Sequence, residues 1–202
     1  GNVTIAYSAF GGSANALNVT GGKAILNGGS FSSLTIGASG TVEQNGATFT
    51  GAATNNGSLT TTDGKFQGGL TSSTTLVVNG GIFNGDIAIN VTGGTVQIKR
   101  GTINGTTYGV QSAATTTIEK LATITGGTKA LKRTAGTLTV NNGKFAQPAK
   151  FADGDIVFKS AYFGDDASAI ATVYDKQLWR NTSGVEYREG YVFFVGDQAA
   201  AQ

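Results

Sequence analysis

The stretch LVVNGGIFNG at residues 76–85 decides the fold, because its pattern returns along the chain. AILNGGSF at 24–31, TVQIKRGTI at 95–103 and LTVNNGKF at 138–145 are variants of the same unit. Alternating residues lead to an Asn-Gly or Gly-Gly break, and alternation resumes with a large apolar residue. Period two on both sides of the break reads as a strand, a tight turn and a second strand, since Gly and Asn tolerate positive φ. No amphipathic helix can be drawn through it.

Working outward, the large apolar residue becomes an anchor at Phe10, Phe31, Phe49, Phe66, Phe83, Ile103, Ile124 and Phe145, with spacings of 17 to 21 residues. Two positions before it stand Ser8, Gly29, Ala47, Gly64, Gly81, Gly101, Ala122 and Gly143. Nothing larger than Ser enters that column, which points to steric exclusion. Seven positions before the anchor come Val3, Ala24, Val42, Leu59, Leu76, Val96, Thr117 and Leu138. Five before it come Ile5, Leu26, Val78, Ile98 and Val140, with Gln44, Thr61 and Glu119 as exceptions. Both columns are expected to point inward.

A second corner is marked by glycine two residues after the anchor, at Gly12, Gly51, Gly68, Gly85, Gly105 and Gly126. Leu17, Ile36, Ile89, Val110 and Leu131 offer a third inward strand. The expected fold is therefore all-β: a right-handed, single-stranded parallel β-helix, or β-solenoid, of 8–9 roughly triangular coils. Such coils cannot bury an apolar face alone, but stacked at about 4.8 Å they form continuous ladders, so eight span on the order of 40 Å. An antiparallel sandwich is the rival, and it rarely holds one Phe column in register over this length.

The chain divides into coils at 1–150 and, at 151–202, a last coil followed by an aromatic-rich cap. Ten of the eighteen aromatic residues lie in that second part, where the Gly-anchor template fades after Ala167. Residues 1–150 carry ten Lys/Arg against four carboxylates, and 151–202 carry four against eight, so the net charge of +2 conceals two different surfaces. An open solenoid end exposes unpaired backbone groups, which a cap would cover. Trp179, Tyr187 and Tyr191 are the candidate aromatic contacts of this region, for a partner or for the solenoid end itself.

At 32 glycines and one proline, the composition would suit a disordered chain were 39% of the residues not hydrophobic and regularly placed. Histidine and cysteine are absent. That removes the commonest general base, the Ser-His and Cys-His nucleophile systems and disulfide or thiolate-metal frameworks. No apolar run is long enough for a membrane span, and no basic-then-apolar leader opens the chain. The coil acids Glu43, Asp63, Asp86 and Glu119 fall in four different columns. The paired carboxylates of a glycosidase or lyase are therefore not expected, and neither catalytic nor metal-binding residues nor a cofactor are assigned. Asp153, Asp155, Asp165 and Asp166 form the one acidic cluster; calcium would need several of their oxygens to converge, and solvated turns are the simpler expectation.

Lys99 and Lys120 occupy one outward column of adjacent coils, and Arg100, Lys129, Lys132, Arg133 and Lys144 lie in the same half of the solenoid. These seven are the candidate polyanion-binding residues, since stacked like charges are relieved by an anionic partner. Solvated, anti-aggregation lysines are the plainer account. Exposed aromatics do not interleave with the stripe, so an acidic glycan is expected over nucleic acid. Thr41, Thr75, Thr95, Thr116 and Thr137 form an outward Thr column, but Glu43, Val77, Gln97 and Ile118 break the flat array that ice binding requires.

The segments NGGIFNG (79–85) and GGTVQIKRGTING (93–105) resemble the Gly/Thr-rich coils of bacterial cell-surface β-helix proteins and autotransporter-type adhesin passengers, over about residues 3–145. The resemblance implies extracellular display, adhesion and contact with cell-surface glycans. A phage or virion tail-fibre segment is the first alternative, and a β-helix polysaccharide lyase or hydrolase the second.

Overall fold

The computed structural model describes residues 1–6 and 16–141, and beyond them the backbone of short strands between 144 and 194. The described chain contains strands and turns and no helix. Parallel pairing runs layer on layer through one face of the solenoid. Asn2–Ile5 lies on residues 23–26, these on 41–44, these on Ser58–Thr61, and these on Thr75–Val78. The stack continues through 96–98, 116–118 and Leu138–Val140 to Val157–Phe158. Parallel neighbours one coil apart make this a β-solenoid, as the repeat requires.

The anchor column is one internal stack. Phe31, Phe49, Phe66 and Phe83 lie ring on ring, with centroids 5.5, 5.1 and 4.8 Å apart and interplanar angles of 22°, 26° and 5°. Ile103 and Ile124 continue it in register. Offset stacking of this kind adds about 0.5–1.5 kcal/mol per pair to the burial of the rings. The column seven before the anchor holds Val42, Leu59, Leu76 and Val96, all fully buried. Val3 keeps the register opposite Ala24 but remains 57% exposed, being in the outermost described layer. Phe10, Ser8 and the second-corner Gly12 lie outside the described residues.

A third strand completes each coil. Its columns run Leu17, Leu34, Ala53, Leu70, Ile89, Val110, Leu131 and, two residues on, Val19, Ile36, Asn55, Ser72, Val91, Ser112. Ile36 thus belongs two residues beyond the Leu17 column with which it was grouped. The second of these columns carries a polar seam that the sequence pattern did not announce. Asn55 Nδ2 donates to Ser72 Oγ at 3.0 Å and to the Thr75 carbonyl at 2.9 Å, while Asn55 Oδ1 accepts from the Gly57 amide at 3.1 Å. Ser112 and Thr116 share a hydrogen bond of 2.8 Å. Gln44 and Thr61, the polar exceptions of the first strand, do point inward. Gln44 spans its own turn, donating to the Ala47 carbonyl and accepting from the Gly46 amide, both at 2.7 Å, and Thr61 donates to the Gly80 carbonyl at 2.9 Å. Each buried polar atom here satisfies a corner that no water reaches.

One coil departs from the alignment. Val96 pairs with Thr116 and Ile98 with Ile118, but Arg100 pairs with Leu121, so Lys99 is opposed by both Glu119 and Lys120. This is a β-bulge, with one extra residue on the later coil. Counting back from Ile124 therefore misplaces everything before the bulge. Thr116 and Ile118 are the inward residues, both fully buried, in place of Thr117 and Glu119. Thr115, rather than Thr116, continues the outward Thr95 column. Lys120 consequently shares its place opposite Lys99 with an acid.

At the far end the pairing changes direction. Tyr191–Phe194 runs parallel to Ser160–Tyr162, then pairs antiparallel with Val185–Arg188, which pairs antiparallel with Trp179–Arg180. Among the described residues these are the only antiparallel pairs, and they extend the same sheet beyond the coils.

Candidate functional site

The corner between the first and second strands turns on Gly81 and Gly101, with φ of 107° and 128°. This is a conformation that side chains with a Cβ rarely adopt. At Gly101 an added Cβ would also stand 3.0 Å from the Gly81 carbonyl oxygen of the preceding coil. The bare corner lets successive coils close up, and outside it an open groove of about 420 Å³ crosses the layers. Thr62 and Asp63 line one end, Arg100 and Leu121 the other, and Ile82, Thr102 and Thr123 run along the strand that follows. The last three are register partners in consecutive coils, so they form one outward row.

The bulge shapes this groove. Three residues, Glu119 to Leu121, separate the buried Ile118 from the buried Ala122, where the preceding coil has only Lys99 and Arg100 between Ile98 and Gly101. Leu121 is left 58% exposed opposite Arg100. Asp63 Oδ1 caps its own turn, accepting from the Gly64 amide at 2.7 Å. Among the described residues the one ion pair is Lys23 with Glu43, at 2.6 Å, so neither Arg100 nor Asp63 is neutralised by a salt bridge there.

The seven basic candidates do not form one stripe. Arg100 lines the groove, with Lys99 before it in the chain and Lys120 within the bulge of the next coil. Lys144 takes the register position beside Thr123, next to the groove's outward row. Lys129, Lys132 and Arg133 belong to the third strand, around another corner. There Lys132 Nζ lies 4.5 Å above the Tyr108 ring centroid and 3.1 Å from its hydroxyl, and Arg133 Nε donates to the Gly136 carbonyl at 2.7 Å. These two cations already have local partners.

The coil acids are also dispersed. Glu43 is paired with Lys23, and Asp86 accepts from the hydroxyls of Thr106 and Thr107. Among the described residues no group of three or more His, Cys, Asp or Glu is arranged to hold a metal, and no helix is long and apolar enough to cross a membrane. Asp153 is in register with Lys132. Asp155, Asp165 and Asp166 lie outside the described residues. Of the aromatic candidates, Trp179 pairs with Tyr187, and Tyr191 with Arg188, in the terminal antiparallel strands.

Sequence reasoning named Arg100 but missed its companions Leu121, Asp63 and the Thr102–Thr123 row. Their signal was the surplus residue between Ile118 and Ala122, visible once both inward columns are aligned separately. Compared with models of protein families, with curated proteins and with solved structures, the chain matches none.

Proposed function

We propose that this chain is a non-enzymatic, surface-displayed β-solenoid that acts as an adhesive or structural module and contacts glycans or other cell-surface polymers. The observation that carries the reading is the groove at the Gly81–Gly101 corner. It is open rather than enclosed, crosses several coils, and presents a cation, an acid, hydroxyls and apolar side chains on one rigid support. An open trough admits a stretch of polymer without threading its ends, whereas small-molecule sites enclose most of their ligand. The Gly/Thr-rich coils that resemble adhesin passengers support the same reading, and on it the module works outside the cell. Interior satisfaction of the polar seam and the stacked rings keep the outward columns at fixed spacing, so binding requires little reorganisation.

The test is retention of the intact chain on immobilised acidic and neutral polysaccharides, with sizing chromatography and an assay for newly formed polymer ends run beside it. Salt-sensitive retention without cleavage is expected. Release of reducing or unsaturated ends would replace this reading with an enzymatic one, and a stable trimer that binds no polymer would favour a fibre segment.

A further inference from the structure

We infer that the groove at the Gly81–Gly101 corner is a subsite for a sugar residue bearing a carboxylate, one unit of an acidic polysaccharide. The inference rests on the polymer-contact reading and gives it an address.

Its chemistry is that of an acidic sugar in reverse. Arg100 is exposed and pairs across the sheet with Leu121, with no carboxylate in ion-pair contact among the described residues. A guanidinium presents a planar fork that a carboxylate accepts through two parallel hydrogen bonds, which a lysine cannot reproduce. Among the described residues Arg100 is the one cation that lines the groove, and it stands two coils from the acid at its other end. Asp63, at the opposite end, suits a sugar hydroxyl as donor. Thr102 and Thr123 supply hydroxyls one coil apart, matched to the alternating donors and acceptors of a pyranose ring.

Leu121 supplies what a simple ion-exchange surface lacks. A single exposed leucine means little. This one is turned out by an inserted residue, beside the cation and in the same groove as the half-buried Ile82, and bulges recur where a side chain is re-aimed at a site. The C–H face of a sugar laid on Leu121 brings an equatorial carboxylate to Arg100 and hydroxyls to Thr102 and Thr123. Lys132 is the contrasting cation: it is satisfied on Tyr108 and sits around another corner.

Calorimetric titration of the full chain with hexagalacturonate and with its methyl ester tests the assignment. The free acid is expected to bind and the ester to bind at least tenfold more weakly. Arg100→Gln is expected to weaken the acid about 10- to 100-fold, the range for loss of a charge-assisted contact, with Arg100→Lys recovering only part. Leu121→Ser is expected to lower affinity several-fold while leaving the thermal midpoint in place, since Leu121 is mostly exposed. Lys132→Gln is expected to have no effect. Equal binding of acid and ester, or indifference to both Arg100→Gln and Leu121→Ser, overturns the subsite. If Lys132→Gln abolishes binding instead, polymer contact stands and its location here is wrong. If neither hexagalacturonate nor any polysaccharide of the wider panel binds, both readings fall.

Discussion

Phe66 is the ring with the most to lose. It is fully buried and stacks on Phe49 at 5.1 Å and on Phe83 at 4.8 Å, whereas Phe83 is followed in the column by Ile103, which has no ring. Truncation by Phe66→Ala removes the apolar burial and leaves a cavity, about 3–5 kcal/mol for such sites. Two stacked pairs, each worth about 0.5–1.5 kcal/mol, place it at the top of that range. The sharper experiment keeps the bulk. Phe66→Leu forfeits two ring pairs and Phe83→Leu one, so the first should cost roughly 0.5–1.5 kcal/mol more than the second. Equilibrium urea unfolding followed by far-UV circular dichroism measures both, provided the transition slopes agree with the parent, because solenoids can lose cooperativity at a central defect. A Phe83→Leu variant as unstable as Phe66→Leu, or a Phe66→Ala cost below about 2 kcal/mol, would refute the ladder as a major source of stability.

Two further outcomes bear on the seam and the far end. Asn55→Asp replaces a donor to Ser72 Oγ and the Thr75 carbonyl with an acceptor, although the contact to the Gly57 amide survives. Burial and the facing carbonyl raise the pKa of the introduced acid, so its neutral form, which can still donate, persists above the usual carboxylate range. The variant should therefore be mildly destabilised at pH 4 and lose about 3–5 kcal/mol near pH 7, and a chemical-denaturation profile flat in pH would contradict this. Truncation after residue 150 removes the strands that pair with Thr139, Val140 and Lys144. Light scattering should then report association through the bared edge, and a soluble monomer would show that the terminal region is not needed to protect it.

The fold was legible because steric rules repeat. The inward columns of each side can vary among Val, Leu and Ile from coil to coil without blurring, and Phe31 to Phe83 mark the register like pegs. The polar seam was not legible, since Asn55 and Ser112 occupy inward positions only by virtue of hydrogen bonds to corner backbone that no local pattern announces. The bulge failed to show for a different reason. Anchor counting assumes that all length variation lies beyond the second strand, and the extra residue among Glu119, Lys120 and Leu121 sits before it. One misplaced residue turns every side chain upstream to the opposite face, which is how Thr116 and Ile118 came to be expected outside. The basic candidates illustrate a third limit: proximity along the chain does not fix which side of a triangle a residue occupies, so Lys132 and Arg100 were grouped although a corner divides them.

The inserted residue at the Arg100–Leu121 layer is absorbed within its own turn, and pairing resumes at Ala122 and Ile124 as if nothing had happened. A scaffold with this property behaves as a ladder whose rungs can be recarved one at a time. New recognition features can arise by lengthening a single loop at a chosen height, leaving the rungs above and below to hold their alignment.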